Sequence, residues 1–103
     1  MSGYPYPPTR CIAVDVDGTL VCEGRLNTGV VDWCRARKAV GFELILWSAR
    51  GVNYARAVVF RFGLDGLFDA VVGKPGYLLD DLGWDWIRYT RVVRDLAGGP
   101  GEI

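Results

Sequence analysis

The stretch Cys11–Leu20, which reads CIAVDVDGTL, constrains the fold of this chain more than any other. Its first four residues are apolar, and such a run is typical of a strand that is covered on both faces in a parallel sheet. The run ends at Asp15 and Asp17, two carboxylates one residue apart that repel each other and are costly to desolvate. A divalent cation such as Mg²⁺, which prefers oxygen ligands, would make this pair favourable. Gly18 then permits the sharp turn that lets the backbone approach a ligand closely.

Length and composition exclude several classes of protein. The chain has 103 residues, half of them apolar, so we expect one domain over residues 1–103 with a real core. Histidine is absent, which excludes catalysis by a serine–histidine or cysteine–histidine pair. The three cysteines lack C-x-x-C spacing, so we expect free thiols and no zinc site. The net charge is zero and no apolar run is long enough to cross a membrane, so we expect a cytoplasmic protein without a membrane partner.

Apolar and turn residues alternate in a pattern that predicts strands and helices in turn. Between an extended arm (residues 1–9) and a glycine-rich tail (residues 98–103) we expect strands at 11–14, 42–47, 70–72 and 77–79. Helices are predicted at 27–40, with Asn27 as N-cap and Gly41 after the last turn, and at 53–62 and 84–96. The short segment 21–26 is expected to turn at Glu23-Gly24. This order predicts an α/β domain with a short, mainly parallel sheet and helices on both faces, a three-layer α/β/α, Rossmann-like architecture.

Polar residues follow the predicted strands, where parallel sheets bind their ligands. Asp15, Asp17, Ser48 and Asp80 all come directly after apolar runs. Right-handed crossovers bring the carboxyl ends of parallel strands to one edge, and we expect these side chains to meet there.

The sequence DVDGTL after an apolar strand resembles the first motif of the haloacid dehalogenase-like (HAD) phosphohydrolases. The likeness continues in chain order over about residues 11–85. Ser48 in LILWSARG resembles the second motif, Lys74 in GKP the third, and Asp80-Asp81 the fourth. The resemblance implies strand order 3-2-1-4 and a Mg²⁺-dependent phosphatase that acts on phosphate monoesters through an aspartyl-phosphate intermediate. Its partner would be a phosphorylated small molecule or macromolecule.

The same resemblance implies a role for each residue of the four motifs. Asp15 would be the nucleophile, Asp17 would give and take the proton, and Lys74 would offset negative charge. Residues expected to bind substrate are Thr19, Ser48, Ala49 and Arg50. Residues expected to bind Mg²⁺ are Asp15, Asp17 through its backbone carbonyl, and Asp80 or Asp81. Which of the last two binds the ion directly stays open.

Two features of the sequence depart from larger members of that family. Only five residues separate Lys74 from Asp80, too few for the helix and strand that usually lie between these motifs. Larger members insert a cap domain either after the first motif or between the third strand and the lysine. Here the first position holds only segment 21–26 and the second holds almost no residues, so we expect an uncapped, open site. Because an open site can accept large substrates, nucleic acid stays open as a partner. A homodimer, in which a second subunit covers the site, also stays open. Two other functions stay open: a nucleic-acid end-processing module resembling a 3′-phosphatase, and a non-catalytic domain that binds Mg²⁺ or phosphate.

Overall fold

The computed structural model describes residues 6–94, which belong to two compact units. Arg10–Pro75 forms one, here called the sheet unit, while Met1–Thr9 and Gly76–Ile103 form the other, the terminal unit. The sheet unit contains, in chain order, β1 (Cys11–Asp15), β2 (Val21–Cys22), β3 (Arg25–Leu26), α1 (Thr28–Ala39), β4 (Glu43–Ser48), α2 (Val52–Arg61) and β5 (Ala70–Gly73).

A parallel three-stranded sheet forms the centre of the sheet unit. β4 is its middle strand, with β1 on one side and β5 on the other. Asp15 pairs with Trp47, and Ser48 pairs with Gly73, so all three strands end at the same edge. The α/β class and the parallel sheet are therefore as predicted. A fourth strand is missing, because residues 77–79 form no strand.

Both long helices belong to one face of this sheet. The chain crosses from β1 through α1 to β4 and then, in the same direction, through α2 to β5. Right-handed crossovers in one direction put both helices on the same side. Burial agrees with this arrangement, since Leu44 and Leu46 are fully buried whereas Ile45 and Trp47, which point to the opposite face, are partly exposed. Within the sheet unit, helices thus cover one face, and the expectation of helices on both faces is not met there.

The ends of α1 follow from local side-chain and backbone chemistry. Asn27 is the N-cap, and its Oδ1 accepts a hydrogen bond of 3.3 Å from the backbone N–H of Val30. Gly41 adopts a φ of +97°, which favours glycine, and its N–H bonds to the carbonyl of Lys38. The predicted helix with these two end residues is therefore confirmed. Its buried residues are Val30, Val31 and Cys34.

A short hairpin connects the end of β1 with α1. β2 and β3 pair antiparallel, and the residues between them, Glu23 and Gly24, have φ angles of +53° and +75°. Positive φ at both central residues is typical of the tight turns that join two-stranded hairpins. The turn was predicted, but the two short strands were not.

The terminal unit departs most from the expectations. In place of the predicted α-helix 84–96 it contains a 3₁₀ helix, Gly83–Tyr89. Trp84 is 82% exposed, and the ring centroids of Tyr6 and Tyr89 lie 6.1 Å apart. Residues 6–9 form neither helix nor strand, as expected for the arm. The rest of the predicted arm, the end of the predicted helix and the tail 98–103 lie outside the described residues.

All three cysteines are free thiols, as predicted. Burial raises the pKa of the Cys34 thiol to about 11, so this side chain behaves as a small core residue. Among the helices of residues 6–94, none combines the length and the apolar character needed to cross a lipid bilayer.

Candidate active site at the carboxyl edge of the sheet

Two buried side chains, those of Val16 and Leu20, anchor the tight loop that follows β1. Val16 and Leu20 are both fully buried. The carbonyl of Val16 accepts hydrogen bonds from the N–H groups of Thr19 (3.2 Å) and Val21 (2.9 Å), and the carbonyl of Asp15 accepts one from Leu20 (3.2 Å). The apolar residues that alternate with the carboxylates therefore fix the position of the loop.

This loop presents its polar residues on the outer side. Gly18 has a φ of +82°, and its N–H bonds to the carbonyl of Val21 at 2.9 Å, which closes the turn. Asp15, at the end of β1, is partly exposed, Asp17 is exposed, and Thr19 is partly exposed. The two carboxylates thus lie in unlike surroundings although only one residue separates them.

A second turn follows β4 at the same edge. Ser48 is buried, and its Oγ accepts a hydrogen bond of 3.0 Å from the N–H of Arg50. A serine hydroxyl that accepts a hydrogen bond still has its own proton to donate. Ala49 and Arg50 are exposed in this turn, and α2 begins directly after it with no side-chain cap. The turn therefore sets one hydroxyl and one guanidinium beside a helix N-terminus, which favours anions.

Lys74 reaches this edge directly from β5. Its backbone N–H donates to the carbonyl of Ser48 at 2.8 Å, which extends the pairing of β5 with β4 by one residue. Its Nζ lies 5.7 Å from the ring centroid of Trp47, the residue that pairs with Asp15 across the sheet. The backbone of Lys74 thus lies beside the end of β4, directly after the last residue of β5.

A cluster of Asp17, Arg50 and Tyr54 connects the two turns. The Tyr54 hydroxyl donates a hydrogen bond of 2.7 Å to Oδ1 of Asp17, and Nη1 of Arg50 lies 3.6 Å from Oδ2. The guanidinium carbon of Arg50 lies 3.8 Å from the centroid of the Tyr54 ring. The hydrogen bond to Asp17, followed by desolvation, raises the pKa of Tyr54, while Arg50 acts to lower it. Because the ion pair is half-exposed, it contributes little to stability by itself.

Sequence reasoning missed Tyr54, which is the third residue of α2. The helix buries Ala55 and Val58, so Tyr54 lies beside the buried stripe and not within it. A tyrosine four residues after a motif arginine, in the first turn of the following helix, was the signal that could have indicated a polar role.

Asp80 and Asp81 belong to the terminal unit, and their part in a metal site stays a prediction. Oδ1 of Asp80 accepts a hydrogen bond of 2.8 Å from the N–H of Leu82. Its carbonyl accepts a second one, of 3.1 Å, from Gly83, so Asp80 stabilises the turn that starts the 3₁₀ helix.

The donor set of the loop after β1 fits Mg²⁺ in chemical type. It offers the carboxylate of Asp15 and the carbonyl of Asp17, both oxygen ligands, and Mg²⁺ needs one or two carboxylates when substrate phosphate and water complete its shell. The Asp17 carboxylate is already engaged by Tyr54 and Arg50, which leaves its carbonyl for the ion. Within residues 6–94, no three acidic or cysteine side chains stand together as a ready-made metal cluster.

This edge of the sheet therefore carries two carboxylates, one buried hydroxyl and two cationic side chains. Asp15 is the candidate nucleophile, and Asp17 is the carboxylate that contacts Tyr54 and Arg50. Such a set can bind a phosphate group, attack it and move a proton. Comparison of the chain with protein-family models, with curated proteins and with solved structures finds no match in any of the three.

Proposed function

We propose that this chain is a Mg²⁺-dependent phosphatase that hydrolyses phosphate monoesters through an aspartyl-phosphate, in the manner of the HAD-like enzymes its motifs resemble. One observation carries the proposal. Three motif residues lie far apart in the sequence but at one edge of the sheet, since Asp15 and Ser48 end β1 and β4 and Lys74 directly follows β5. Such edges are where open α/β sheets bind ligands.

Asp15 is the nucleophile in this proposal. A carboxylate oxygen of Asp15 forms a bond to phosphorus while the bond between phosphorus and the ester oxygen breaks. Water then attacks the phosphorus of the aspartyl-phosphate, which releases inorganic phosphate and regenerates the carboxylate. Dividing one difficult displacement into two easier ones is the advantage of a covalent intermediate.

Asp17 moves the proton in both halves of the reaction. It first gives a proton to the oxygen of the leaving alcohol, and it later takes a proton from the attacking water. Its exposed position in the loop allows both the leaving group and water to reach it. The half-exposed carboxylate of Asp17 is therefore suited to exchange protons with the substrate and with water.

The remaining groups at the edge neutralise charge and orient the phosphate. Mg²⁺, when bound by the Asp15 carboxylate and the Asp17 carbonyl, supplies positive charge next to the phosphate. The proton of the Ser48 hydroxyl, the Lys74 ammonium and the Arg50 guanidinium are available to phosphate oxygens. Positioning and neutralisation of this kind account for most of the catalysis in phosphoryl transfer.

Asp15→Asn tests the proposal, since an amide is a poor nucleophile toward phosphorus. We expect hydrolysis of p-nitrophenyl phosphate in millimolar Mg²⁺ to fall by about 10³-fold or more, with an unchanged circular dichroism spectrum. Asp65→Asn is the matched control, because Asp65 is an exposed aspartate that precedes β5 and so lies away from the carboxyl edge.

A 3′-phosphorylated oligonucleotide, assayed beside the small ester, separates the two substrate classes. Preference for the oligonucleotide by 10²-fold or more in kcat/KM would identify a nucleic-acid end-processing enzyme. Activity of Asp15→Asn within a few-fold of the wild type would refute the role of Asp15. A wild-type protein inactive on both substrates would contradict the phosphatase proposal and favour the non-catalytic binding domain.

A further inference from the structure

We infer that Tyr54 is a positioning residue of this site, which holds the Asp17 carboxylate with its hydroxyl and the Arg50 guanidinium with its ring. The inference rests on the proposed function, because it assigns Tyr54 a part in that same reaction. Tyr54 lies outside the four motifs and acts through the two residues that it contacts.

The hydroxyl of Tyr54 fixes the direction in which Asp17 points. At 2.7 Å the hydrogen bond to Oδ1 has the usual length of an O–H···O hydrogen bond. Arg50 approaches the other oxygen, Oδ2, at 3.6 Å, so both oxygens of the carboxylate have a neighbour. A phenol hydroxyl can also accept a hydrogen bond, so the contact survives when Asp17 carries the proton that it transfers.

The ring of Tyr54 supports Arg50. The guanidinium lies over the ring, with its central carbon 3.8 Å from the ring centroid. Ala49 and Arg50 are both exposed, and an arginine at this position would sample many rotamers without such a platform. The stacked position keeps the guanidinium next to Asp17, while the backbone N–H of Arg50 contacts Ser48 Oγ.

Neither contact is needed to build the fold. α2 is attached to the sheet by its buried residues Ala55 and Val58, whereas the Asp17–Tyr54 hydrogen bond is exposed. The two contacts of Tyr54 therefore serve the site, and substitutions at this position should leave the sheet unit folded.

NMR at constant pH tests the contact with Asp17 independently of any enzymatic activity. With ¹³C-labelled tyrosine rings, the Tyr54 signal is identified by its loss in Tyr54→Phe. We expect this signal to shift in Asp17→Ala, which removes the acceptor of the 2.7 Å hydrogen bond, and to stay in place in the control Asp65→Asn. A Tyr54 signal at the same position in Asp17→Ala and the wild type would overturn the contact.

Steady-state kinetics separate the two parts of the inference. Tyr54→Phe keeps the ring and loses the hydroxyl, so we expect kcat to fall roughly 10-fold with KM within 2-fold, a part of the 10²–10⁴-fold that acid–base catalysis contributes. Tyr54→Leu also removes the platform of Arg50, and KM should then rise about 2- to 5-fold in addition. Phe62→Leu is the control, because it removes a similar stack, Arg61 over Phe62 at 4.8 Å, from the other end of α2.

The outcomes distinguish this inference from the proposed function. Wild-type kcat in Tyr54→Phe, in an enzyme that Asp15→Asn inactivates, would overturn the role of Tyr54 and leave the phosphatase intact. An inactive wild type would overturn the phosphatase and with it the catalytic meaning of Tyr54. Equal losses in Phe62→Leu and Tyr54→Leu would show a general effect of α2 packing and would also overturn the inference.

Discussion

Truncation of neighbouring residues on the central strand tests whether the core of the sheet unit lies on one face. Leu46 is fully buried on the face that both long helices cover, while Ile45 points to the opposite face and is partly exposed. Leu46→Ala and Ile45→Ala delete the same number of carbon atoms from adjacent positions. The two variants therefore differ in which side of the sheet loses contacts.

The expected cost follows from burial. Leu46→Ala removes three buried carbon atoms. At ~0.8 kcal/mol for each, the lost transfer free energy is ~2.4 kcal/mol. The unfilled cavity adds to this, so we expect about 3–4 kcal/mol in total, within the range of other buried leucines. Ile45 keeps part of its contact with water, and Ile45→Ala should cost about 1–2 kcal/mol. A domain of this size has about 5–15 kcal/mol of stability, so the first loss is a large fraction of the whole.

Urea unfolding followed by circular dichroism measures both values. We expect a much lower midpoint for Leu46→Ala, with an unchanged m-value, and a melting temperature lower by about 12 °C or more. Equal destabilisation by the two variants would refute a one-faced core in the sheet unit. A cost below about 1 kcal/mol for Leu46→Ala would contradict its complete burial.

Two further predictions concern the metal and acid pH. Millimolar Mg²⁺ should raise the melting temperature of the wild type and not that of Asp15→Asn, because a ligand that binds only the native state stabilises it; equal shifts in both proteins would exclude Asp15 as a ligand. The Asp69 carboxylate accepts hydrogen bonds from the backbone N–H of Leu44 and from the Lys38 ammonium. These bonds, the first more than the second, hold the pKa of Asp69 below its ordinary value. Asp69 therefore stabilises the fold above the pKa of the unfolded chain, and this contribution is lost as the pH falls through the lower, native pKa. The difference between the urea midpoints of the wild type and Asp69→Asn should be smaller at pH 3 than at pH 7.

Most of the sheet unit could be predicted because its local signals agree with one another. Asn27 and Gly41 mark the ends of α1, and the turn at Glu23-Gly24 lies where glycine allows it. The apolar run before Asp15 predicted β1 correctly, but the expectation that this strand is covered on both faces was wrong, since only Val14 is buried and Ala13 is exposed. In this region the residues that favour each element are also those that the tertiary structure requires.

The terminal unit could not be predicted, since its signals conflict. Residues 77–79 are apolar enough for a strand, but Pro75 and Gly76 precede them, and Tyr77 is almost fully exposed. In the 3₁₀ helix, Trp84 and Trp86 stand two residues apart, a spacing that puts them on different sides of a helix. Propensity alone indicated a helix there but not its type or its length.

The site was predicted in part, and the limit is physical. Strand ends can be recognised in a sequence, so Asp15, Asp17 and Ser48 could be assigned to one edge from their positions after apolar runs. Asp80 was assigned to the same edge, which stays a prediction, and Lys74 was indicated only by the family resemblance. The partners of Asp17 could not be predicted, because Tyr54 meets it only when α2 turns back beside the loop after β1. Contacts between residues 37 positions apart depend on the helix orientation, which no local pattern specifies.

The surroundings of the two aspartates bear on the choice between a phosphatase and a domain that only binds Mg²⁺. A binding site gains most when both carboxylates are directed to the ion, since each contributes charge and oxygen ligands. Here the carboxylate of Asp17 faces Tyr54 and Arg50 instead, while Asp15 ends the strand. Enzymes that use two carboxylates for different steps place them in different environments. This difference between the two aspartates supports the proposed phosphatase, in which Asp15 forms the bond to phosphorus and Asp17 transfers the proton.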